Sequence, residues 1–246
     1  MAEDLNVYPI KIDSDKLNEY DMGETLPSLP FFMLMCGKVR SGKTLCYNNL
    51  SLSNRFYGDK FETKVLISPT AHQDANNTHL LEEFDFVFDT CSEEIIQSLL
   101  DEITTQEDDG RWLIIFDDVI GSLKQNKNGK PDLVTSLSTK YRHIANANNK
   151  EGMLSVIVCS QYFNFFTPTL RDNASCYLIL GVFSDDELKK MGKVLSVFGG
   201  NIRSFIELYH MARTEDRWDF LYLNIRKLQA WRSFKTLLWD EDGFKR

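Results

Sequence analysis

A segment with two glycines, a lysine and a threonine at fixed spacing points to phosphate chemistry near the start of the chain. Residues 37–44 read Gly-Lys-Val-Arg-Ser-Gly-Lys-Thr and directly follow the apolar run 31–36. Gly37 and Gly42 allow the backbone to curl so that its N–H groups face phosphate oxygens, and a helix that begins near Lys43 directs the positive end of its dipole at them. The pattern predicts a nucleotide-binding loop; the alternative is a glycine-containing turn that matches by chance.

Two side chains of this loop have predicted roles of their own. Lys43 is expected to reach the β- and γ-phosphates, and the Thr44 hydroxyl is expected to bind Mg²⁺. The sequence therefore predicts a site for a nucleoside triphosphate with Mg²⁺. The residues predicted to contact the nucleotide are Gly37, Lys38, Val39, Arg40, Ser41, Gly42, Lys43, Thr44 and Leu45.

A pair of carboxylates after a second apolar run suggests metal binding and proton transfer. Residues 113–116 are followed immediately by Asp117 and Asp118. In P-loop ATPases the acid at the end of this strand holds Mg²⁺ through water, and we assign that role to Asp117. Asp118 stands where many ATPases have a glutamate that polarises the attacking water, so it is the candidate general base. The alternative is that both acids cap the following turn.

A third polar position lies at the end of another apolar run. Ser160 and Gln161 follow residues 154–159. In P-loop enzymes with an extra strand between the two motif strands, a polar residue at this tip senses the γ-phosphate and orients the water. Gln161 suits that task, although a Ser-Gln pair taken alone indicates no more than a loop hydrogen bond.

Two arginines are candidates for charge stabilisation at the γ-phosphate. Arg142 ends a helical pattern before the predicted sensor strand, and Arg171 follows that strand. A guanidinium delivered by a neighbouring subunit supplies transition-state charge that the loop alone lacks. For each arginine the alternative is a surface salt bridge.

The elements that must position these side chains alternate along the chain. Apolar runs typical of buried strands are separated by helical patterns, which indicates a parallel sheet covered on both faces. The predicted strands are 31–36, 64–68, 85–88, 112–116, 154–159 and 176–180. Two helices are predicted to begin at capping boxes, one formed by Thr90 with Glu93 and the other by Ser184 with Glu187. Two more helices are predicted over about 131–146 and 202–211.

The sequence thus predicts an α/β fold of the P-loop NTPase type. We expect a RecA/ASCE-like three-layer α/β/α arrangement with a mostly parallel central sheet. The runs 218–225 and 228–234 predict a C-terminal β-hairpin. Residues 1–30 are expected to form an irregular lead-in, and residues 31–246 a P-loop ATPase domain that includes the C-terminal helix and hairpin.

Composition limits the class of protein. A chain of 246 residues with 43% hydrophobic residues can bury one sizeable α/β core. The sequence has no apolar stretch of bilayer length and no signal-peptide pattern at its first residues. A soluble intracellular protein with no membrane partner is therefore expected.

Charge is distributed unevenly along the chain. The formal net charge is −8, and residues 1–31 carry a net of −5, whereas residues 119–142 carry a net of +4. The basic stretch includes Lys124, Lys127 and Lys130 on a polar loop just past the acid pair. We predict that these three lysines contact DNA phosphates; the alternative is an ordinary solvated loop.

In their order along the chain, these motifs resemble those of the FtsK–HerA superfamily. More narrowly, the chain is similar to the poxvirus-type genome-packaging ATPases of large DNA viruses, virophages and related double-jelly-roll viruses. The resemblance covers about residues 31–225. It rests on residues 37–44, Ser68-Pro69-Thr70, Asp117-Asp118, Arg142-His143, Ser160-Gln161 and residues 167–174.

This resemblance implies an ATP-driven motor. Members of the family act as homo-oligomeric rings, here expected to be hexamers or pentamers, that move double-stranded DNA into a preformed capsid at its portal vertex. It implies a location in the host cytoplasm (the viral factory) or in the virion. Arg142 matches the arginine that acts in trans, with Arg171 as the competitor. Asp118 in place of glutamate departs from the superfamily pattern and leaves the identity of the base open.

Other functions fit the residues less well. A GTPase requires an Asn-Lys-x-Asp sequence, and the nearest string, residues 126–129, lacks the aspartate. A nucleotide kinase usually has adjacent motif strands and a basic lid. A cellular DNA translocase or helicase shares the catalytic elements but carries added domains. An ATP-gated scaffold without hydrolysis is disfavoured because Lys43, Asp117 and Asp118 are intact.

Overall fold

The structure is a computed structural model that describes residues 25–73, 78–108, 110–119, 132–146, 153–214 and 216–245. Its strands are β1 Phe32–Gly37, β2 Thr63–Ile67, β3 Phe86–Phe88, β4 Trp112–Asp117, β5 Leu154–Ser160, β6 Cys176–Leu180, β7 Phe220–Asn224, β8 Gln229–Arg232, β9 Thr236–Asp240 and β10 Gly243–Phe244. Its α-helices are α1 Lys43–Leu52, α2 Glu93–Thr105, α3 Leu133–Lys140, α4 Pro168–Asn173, α5 Asp185–Leu195 and α6 Ile202–Ala212.

These strands form a single ten-stranded sheet in the order β10-β9-β8-β7-β6-β1-β5-β4-β2-β3. The strands from β6 to β3 in this order pair in parallel, and β7 to β10 continue the sheet in antiparallel pairing. The parallel strands are mostly apolar, because helices and loops cover both of their faces. The predicted α/β class with a mostly parallel sheet is confirmed.

Two hydrophobic clusters lie on opposite faces of the sheet, because alternate residues of each strand point to opposite sides. In β1, Phe32 and Leu34 belong to one cluster, and Met33 and Met35 belong to the other. The first cluster is covered by side chains of α2, α3, α5 and α6. The second is covered by α1 together with aromatic residues that follow it. The predicted three-layer arrangement is thereby confirmed.

Most element predictions are correct to within one or two residues, but two helix predictions are wrong. Helix α2 is capped by Ser92, whose Oγ accepts a hydrogen bond from the Ile95 N–H at 3.2 Å, and no box forms at Thr90. The helix predicted over 131–146 ends at Lys140 and continues only as one 3-10 turn. The capping box of Ser184 and Glu187 is confirmed.

The C-terminal hairpin is present, but it is not a separate appendage. Strands β7 and β8 pair antiparallel as predicted, and β7 also pairs with β6 along its full length. Phe220, the first residue of β7, lies opposite Leu180, the last residue of β6. The start of β7 therefore lies at the same edge of the sheet as the carboxyl ends of the parallel strands. Strands β9 and β10, which the sequence patterns do not predict, extend the sheet further.

None of the helices in the described ranges is long and apolar enough to cross a bilayer.

Candidate nucleotide site

The loop after β1 has the backbone conformation that its glycines favour. Gly42 has φ 94°, in the left-handed region, and Arg40 also lies there with φ 61°. The Ser41 N–H donates to the Lys38 carbonyl at 3.1 Å, and helix α1 begins with the Cys46 N–H donating to the Gly42 carbonyl at 2.8 Å. The loop is therefore a tight turn that ends directly in a helix N-terminus, where backbone N–H groups face outward.

Gly37 is required by close packing beneath this loop. A Cβ at this position would lie 2.3 Å from Ser41 Oγ and 3.0 Å from the Leu180 carbonyl oxygen. A side chain at position 37 would therefore require the Ser41 hydroxyl to rotate away and the Leu180 carbonyl to shift by a few tenths of an ångström.

Lys43 is held in place by the loop itself. Its side chain is only 8% exposed, and its Nζ donates a hydrogen bond to the Gly37 carbonyl oxygen at 2.7 Å. An ammonium group with three donors has further hydrogen-bonding capacity in this position. It is therefore a buried cation beside the loop, available for an anionic ligand.

Asp117 ends β4 in a largely desolvated position. It is 6% exposed, and the Tyr47 hydroxyl donates to its Oδ2 at 3.4 Å. Its Oδ1 is buried and has no hydrogen-bond partner among the described residues. Burial, with a smaller contribution from the charge of Asp118, raises the pKa of Asp117 from 3.8 to about 6, despite the opposing effect of Lys43.

Asp118 and Gln161 connect the tips of two neighbouring strands. Asp118 has φ 54°, so the chain turns sharply after β4. The Gln161 Nε2 donates to Asp118 Oδ2 at 3.0 Å. Because β5 lies between β1 and β4 in the sheet, Gln161 lies at the tip of the inserted strand that the sequence predicted.

One cavity joins these groups. It has a volume of about 630 Å³ and lies along the carboxyl edge of the parallel strands. Five side chains with predicted roles in binding or chemistry contribute to its wall, namely Lys43, Thr44, Asp117, Asp118 and Gln161. Its full lining is Val39, Arg40, Ser41, Gly42, Lys43, Thr44, Leu45, Thr70, Asp117, Asp118, Gln161, Arg217 and Trp218.

The polar groups of this cavity fit a phosphate group and a divalent cation. Asp117 Oδ1 is buried without a partner in the described part of the chain. A carboxylate oxygen beside the Thr44 hydroxyl is a donor set that suits Mg²⁺. The buried ammonium of Lys43 and the loop N–H groups suit phosphate oxygens. The residues present therefore fit both groups that the sequence predicts.

Two of the predicted loop contacts are less direct. Lys38 and Gly37 do not line the cavity. Lys38 Nζ pairs with Glu187 Oε2 at 3.0 Å, and the Gly37 carbonyl oxygen accepts the hydrogen bond of Lys43 beneath the loop. Val39 is 69% exposed at the rim.

Neither candidate arginine lines this cavity. Arg142 is exposed, and its neighbour Tyr141 packs against Phe32 at the opposite end of β1 from the loop, with ring centroids 5.6 Å apart. Arg142 therefore lies at the end of β1 away from this cavity. Arg171 is half-buried, and its guanidinium carbon lies 5.5 Å from the centre of the Phe163 ring. Its Nε is buried without a hydrogen-bond partner among the described residues. Lys124, Lys127 and Lys130 lie outside the described residues, as do residues 1–24 of the predicted lead-in.

Arg217 and Trp218 are cavity residues that the sequence motifs do not reveal. They precede β7, which enters the sheet far from the motifs in sequence but at the same edge in space. The sequence placed Trp218 inside a strand, whereas the strand begins at Phe220. Only the antiparallel pairing of β7 with β6 brings the two side chains to the loop, and no local pattern signals it.

Asp117→Asn is expected to stabilise the ligand-free protein while it removes the predicted metal ligand. The folded state binds the Asp117 proton more tightly than the unfolded chain does, so the free energy of unfolding falls as pH rises from about 4 to 6. At pH 8 the variant should gain about 1–3 kcal/mol in urea unfolding without nucleotide or metal, and the gain should vanish near pH 4. The exposed Asp59→Asn is the control; a gain that does not depend on pH would contradict this account.

Comparisons with known proteins support the fold. Neither a protein-family model nor a curated protein sequence matches the chain. The genome-packaging NTPase B204 of Sulfolobus turreted icosahedral virus 2, in complex with AMP, matches with a TM-score of 0.58 and 13% identity over 84% of this chain and 98% of that chain. The DNA-packaging ATPase B204 of Sulfolobus turreted icosahedral virus matches with a TM-score of 0.55 and 14% identity over 82% and 97%.

A cellular ATPase shares the same fold. Thermomonospora curvata EccC (ATPases 2 and 3) matches with a TM-score of 0.52 and 9% identity, over 88% of this chain and 37% of that chain. At these identities the likeness concerns the fold alone. The fold expected from the resemblance to the FtsK–HerA superfamily is thus confirmed.

Proposed function

We propose that the chain is an ATP-hydrolysing motor that moves double-stranded DNA into a preformed viral capsid, working as a homo-oligomeric ring of six or five subunits. The observation that carries the proposal is the cavity in which a buried lysine, two carboxylates and a glutamine meet at the tips of β1, β4 and β5. The viral packaging enzymes that share this fold support the motor function.

The residues divide the task of hydrolysis among them. Lys43 and the backbone N–H groups of the loop bind and orient the phosphates. Thr44 and Asp117 would hold Mg²⁺, which neutralises phosphate charge when bound. Asp118 accepts the proton of the attacking water, and the hydrogen bond from Gln161 at 3.0 Å fixes the position of that carboxylate.

Asp118 therefore has its orientation set by the neighbouring strand. Gln161 occupies one oxygen of Asp118, Oδ2, and the attacking water binds the other oxygen. The same contact makes the carboxylate sensitive to displacement of the β5 tip, which is a route by which events elsewhere in a ring can control hydrolysis.

The DNA, capsid and location parts of the proposal rest on the sequence resemblance together with the shared fold. Double-stranded DNA is the proposed cargo, the capsid vertex the proposed docking site, and the host cytoplasm or the virion the proposed location. Lys124, Lys127 and Lys130 are the proposed phosphate contacts. The competing function is a cellular-type translocase or helicase, and EccC shows that cellular ATPases share the fold.

Hydrolysis of ATP by the full chain is expected to rise in the presence of double-stranded DNA. Phosphate release should be measured with duplex DNA, with single-stranded DNA and with no DNA, at several salt concentrations. Since each neutralised lysine removes about one phosphate contact, Lys124→Ala, Lys127→Ala and Lys130→Ala together should lower the salt slope of DNA binding by about three.

The matched control is a triple variant that removes three other exposed lysines, Lys60 on the α1–β2 loop and Lys189 and Lys193 on α5. It loses the same charge as the loop variant and should keep the DNA response. Undiminished stimulation in the loop variant would contradict the DNA-contact assignment. Absence of hydrolysis in every arm would contradict the enzyme itself, and stimulation by single strands alone would favour a helicase.

A further inference from the structure

The nucleotide cavity has a wall that the catalytic residues do not account for. Arg217 and Trp218 line it, and Trp218 is 40% exposed although its ring lies against the loop. A Cβ on Gly42 would be 3.1 Å from the ring atom Cε3 of Trp218. The indole therefore borders the loop at the N-terminus of α1, beside the phosphate-facing backbone.

This wall lies on the side of the loop opposite the catalytic groups. In the sheet, β4 lies two strands from β1 on one side, and β7 lies two strands from β1 on the other. At about 4.8 Å between strands, Asp117 and the start of β7 are each about 10 Å from β1 in opposite directions. A nucleotide whose reacting phosphate points at the carboxylates thus extends toward Arg217 and Trp218 with its other end.

The side chains of Arg217 and Trp218 pack against each other. The guanidinium carbon of Arg217 lies 4.2 Å from the centre of the Trp218 ring system, which is the geometry of a cation stacked on an indole. Guanidinium planes and aromatic rings are the surfaces on which proteins stack nucleobases. Stacking suits any base because every base has a π-face.

Hydrogen bonds hold this surface in position. The backbone N–H of Trp218 donates to Asp216 Oδ1 at 2.9 Å, and the backbone N–H of Asp219 donates to the Asp216 carbonyl oxygen at 3.1 Å. The Ser233 hydroxyl, on the β8–β9 turn, donates to Asp219 Oδ1 at 3.0 Å. The turn is thereby fixed to the antiparallel part of the sheet, so little ordering is needed when a ligand arrives.

From these observations we propose that the Arg217–Trp218 stack is the nucleobase platform of this site. The inference rests on the proposed function, since it assigns the base end of the nucleotide whose phosphates bind the loop. The platform binds the base through its planar faces and gives the site affinity for both ATP and GTP. Arg217 contributes as a plane rather than as a phosphate-binding charge.

Calorimetric binding of ATP, GTP and inorganic tripolyphosphate to the full chain tests the proposal. Trp218→Ala and Arg217→Ala should each weaken ATP and GTP binding by about tenfold or more, and leave tripolyphosphate, which has no base, within about twofold. Arg217→Lys keeps the charge without the plane and should behave like Arg217→Ala. Trp218→Phe should retain most of the affinity.

Two controls separate base stacking from support of the loop. Trp218→Leu still covers Gly42 with an apolar side chain but has no π-face, so it should fail in the same way as Trp218→Ala. Trp239→Phe changes an indole on β9 that contacts Phe198 and should bind every ligand as the unmodified chain does.

The results have distinct meanings. Equal weakening of ATP and tripolyphosphate in the Trp218 or Arg217 variants, or no weakening at all, would overturn the platform while leaving the proposed ATPase intact. Wild-type affinity in Arg217→Lys would overturn the assignment of Arg217. A chain that binds neither ATP nor tripolyphosphate would instead refute the proposed function, and the platform with it.

Discussion

Lys43→Ala is expected to reduce ATP hydrolysis by at least about a thousandfold and to weaken nucleotide binding. The Lys43 ammonium is buried beside the loop, where the other groups proposed to bind the phosphates are backbone dipoles. Its removal leaves the developing charge on the phosphates without its positive partner in a poorly solvated site, where such a charge counts for more than in water. Steady-state phosphate release and calorimetric ATP binding provide the two measurements.

The control for this variant is Lys60→Ala. Lys60 is an exposed lysine whose salt bridge to Asp59 lies at the surface, and such pairs contribute little. Its loss should leave turnover unchanged. Turnover of Lys43→Ala at the level of the unmodified chain would remove the ATPase assignment.

Arg142→Ala is expected to lower turnover by about a thousandfold or more while ATP affinity stays near that of the unmodified chain. Arg142 lies near the start of β1, and the loop follows the end of that strand, so about 16 Å of strand separates them. A role at the γ-phosphate therefore requires the site of a neighbouring subunit. Head-to-tail contacts of this kind are the ones that close into rings.

Mixed rings test this assignment. Subunits with Lys43→Ala but intact Arg142 are inactive alone, as are subunits with Arg142→Ala but intact Lys43. When mixed, they should recover hydrolysis at interfaces where an intact loop faces an intact arginine. No recovery in rings shown to contain both subunits would count against action in trans. Recovery seen only when Arg171→Ala replaces Arg142→Ala would transfer the role to Arg171.

The meeting of polar side chains at the loop was predictable because its signals are local. The spacing of Gly37, Gly42 and Lys43 specifies a loop whatever surrounds it, and the apolar run before Asp117 specifies a buried strand. Both patterns are read from adjacent residues. Parallel strands place their carboxyl ends at one edge, so the meeting of Lys43, Asp117 and Gln161 follows from the fold class alone.

The base end was not predictable for the opposite reason. Arg217 and Trp218 reach the cavity through the pairing of β6 with β7. The register of an antiparallel pair is not determined by the sequence of either strand alone. The cap of α2 at Ser92 was missed because both Thr90 and Ser92 are good capping residues, and only the position of the first turn distinguishes them.

The position of β1 in the sheet has a consequence for biosynthesis. This strand is the first of the described strands along the chain, yet its partners in the sheet are β5 and β6, and the Phe31 N–H bonds to Ser155 Oγ, 124 residues further on. During translation, the strand Phe32–Gly37 stays unpaired at both edges until β5 and β6 have been synthesised, which is more than half of the polypeptide. An unpaired apolar strand is prone to aggregation. The chain thus has a long interval in which a chaperone that shields this segment would raise the yield of native protein.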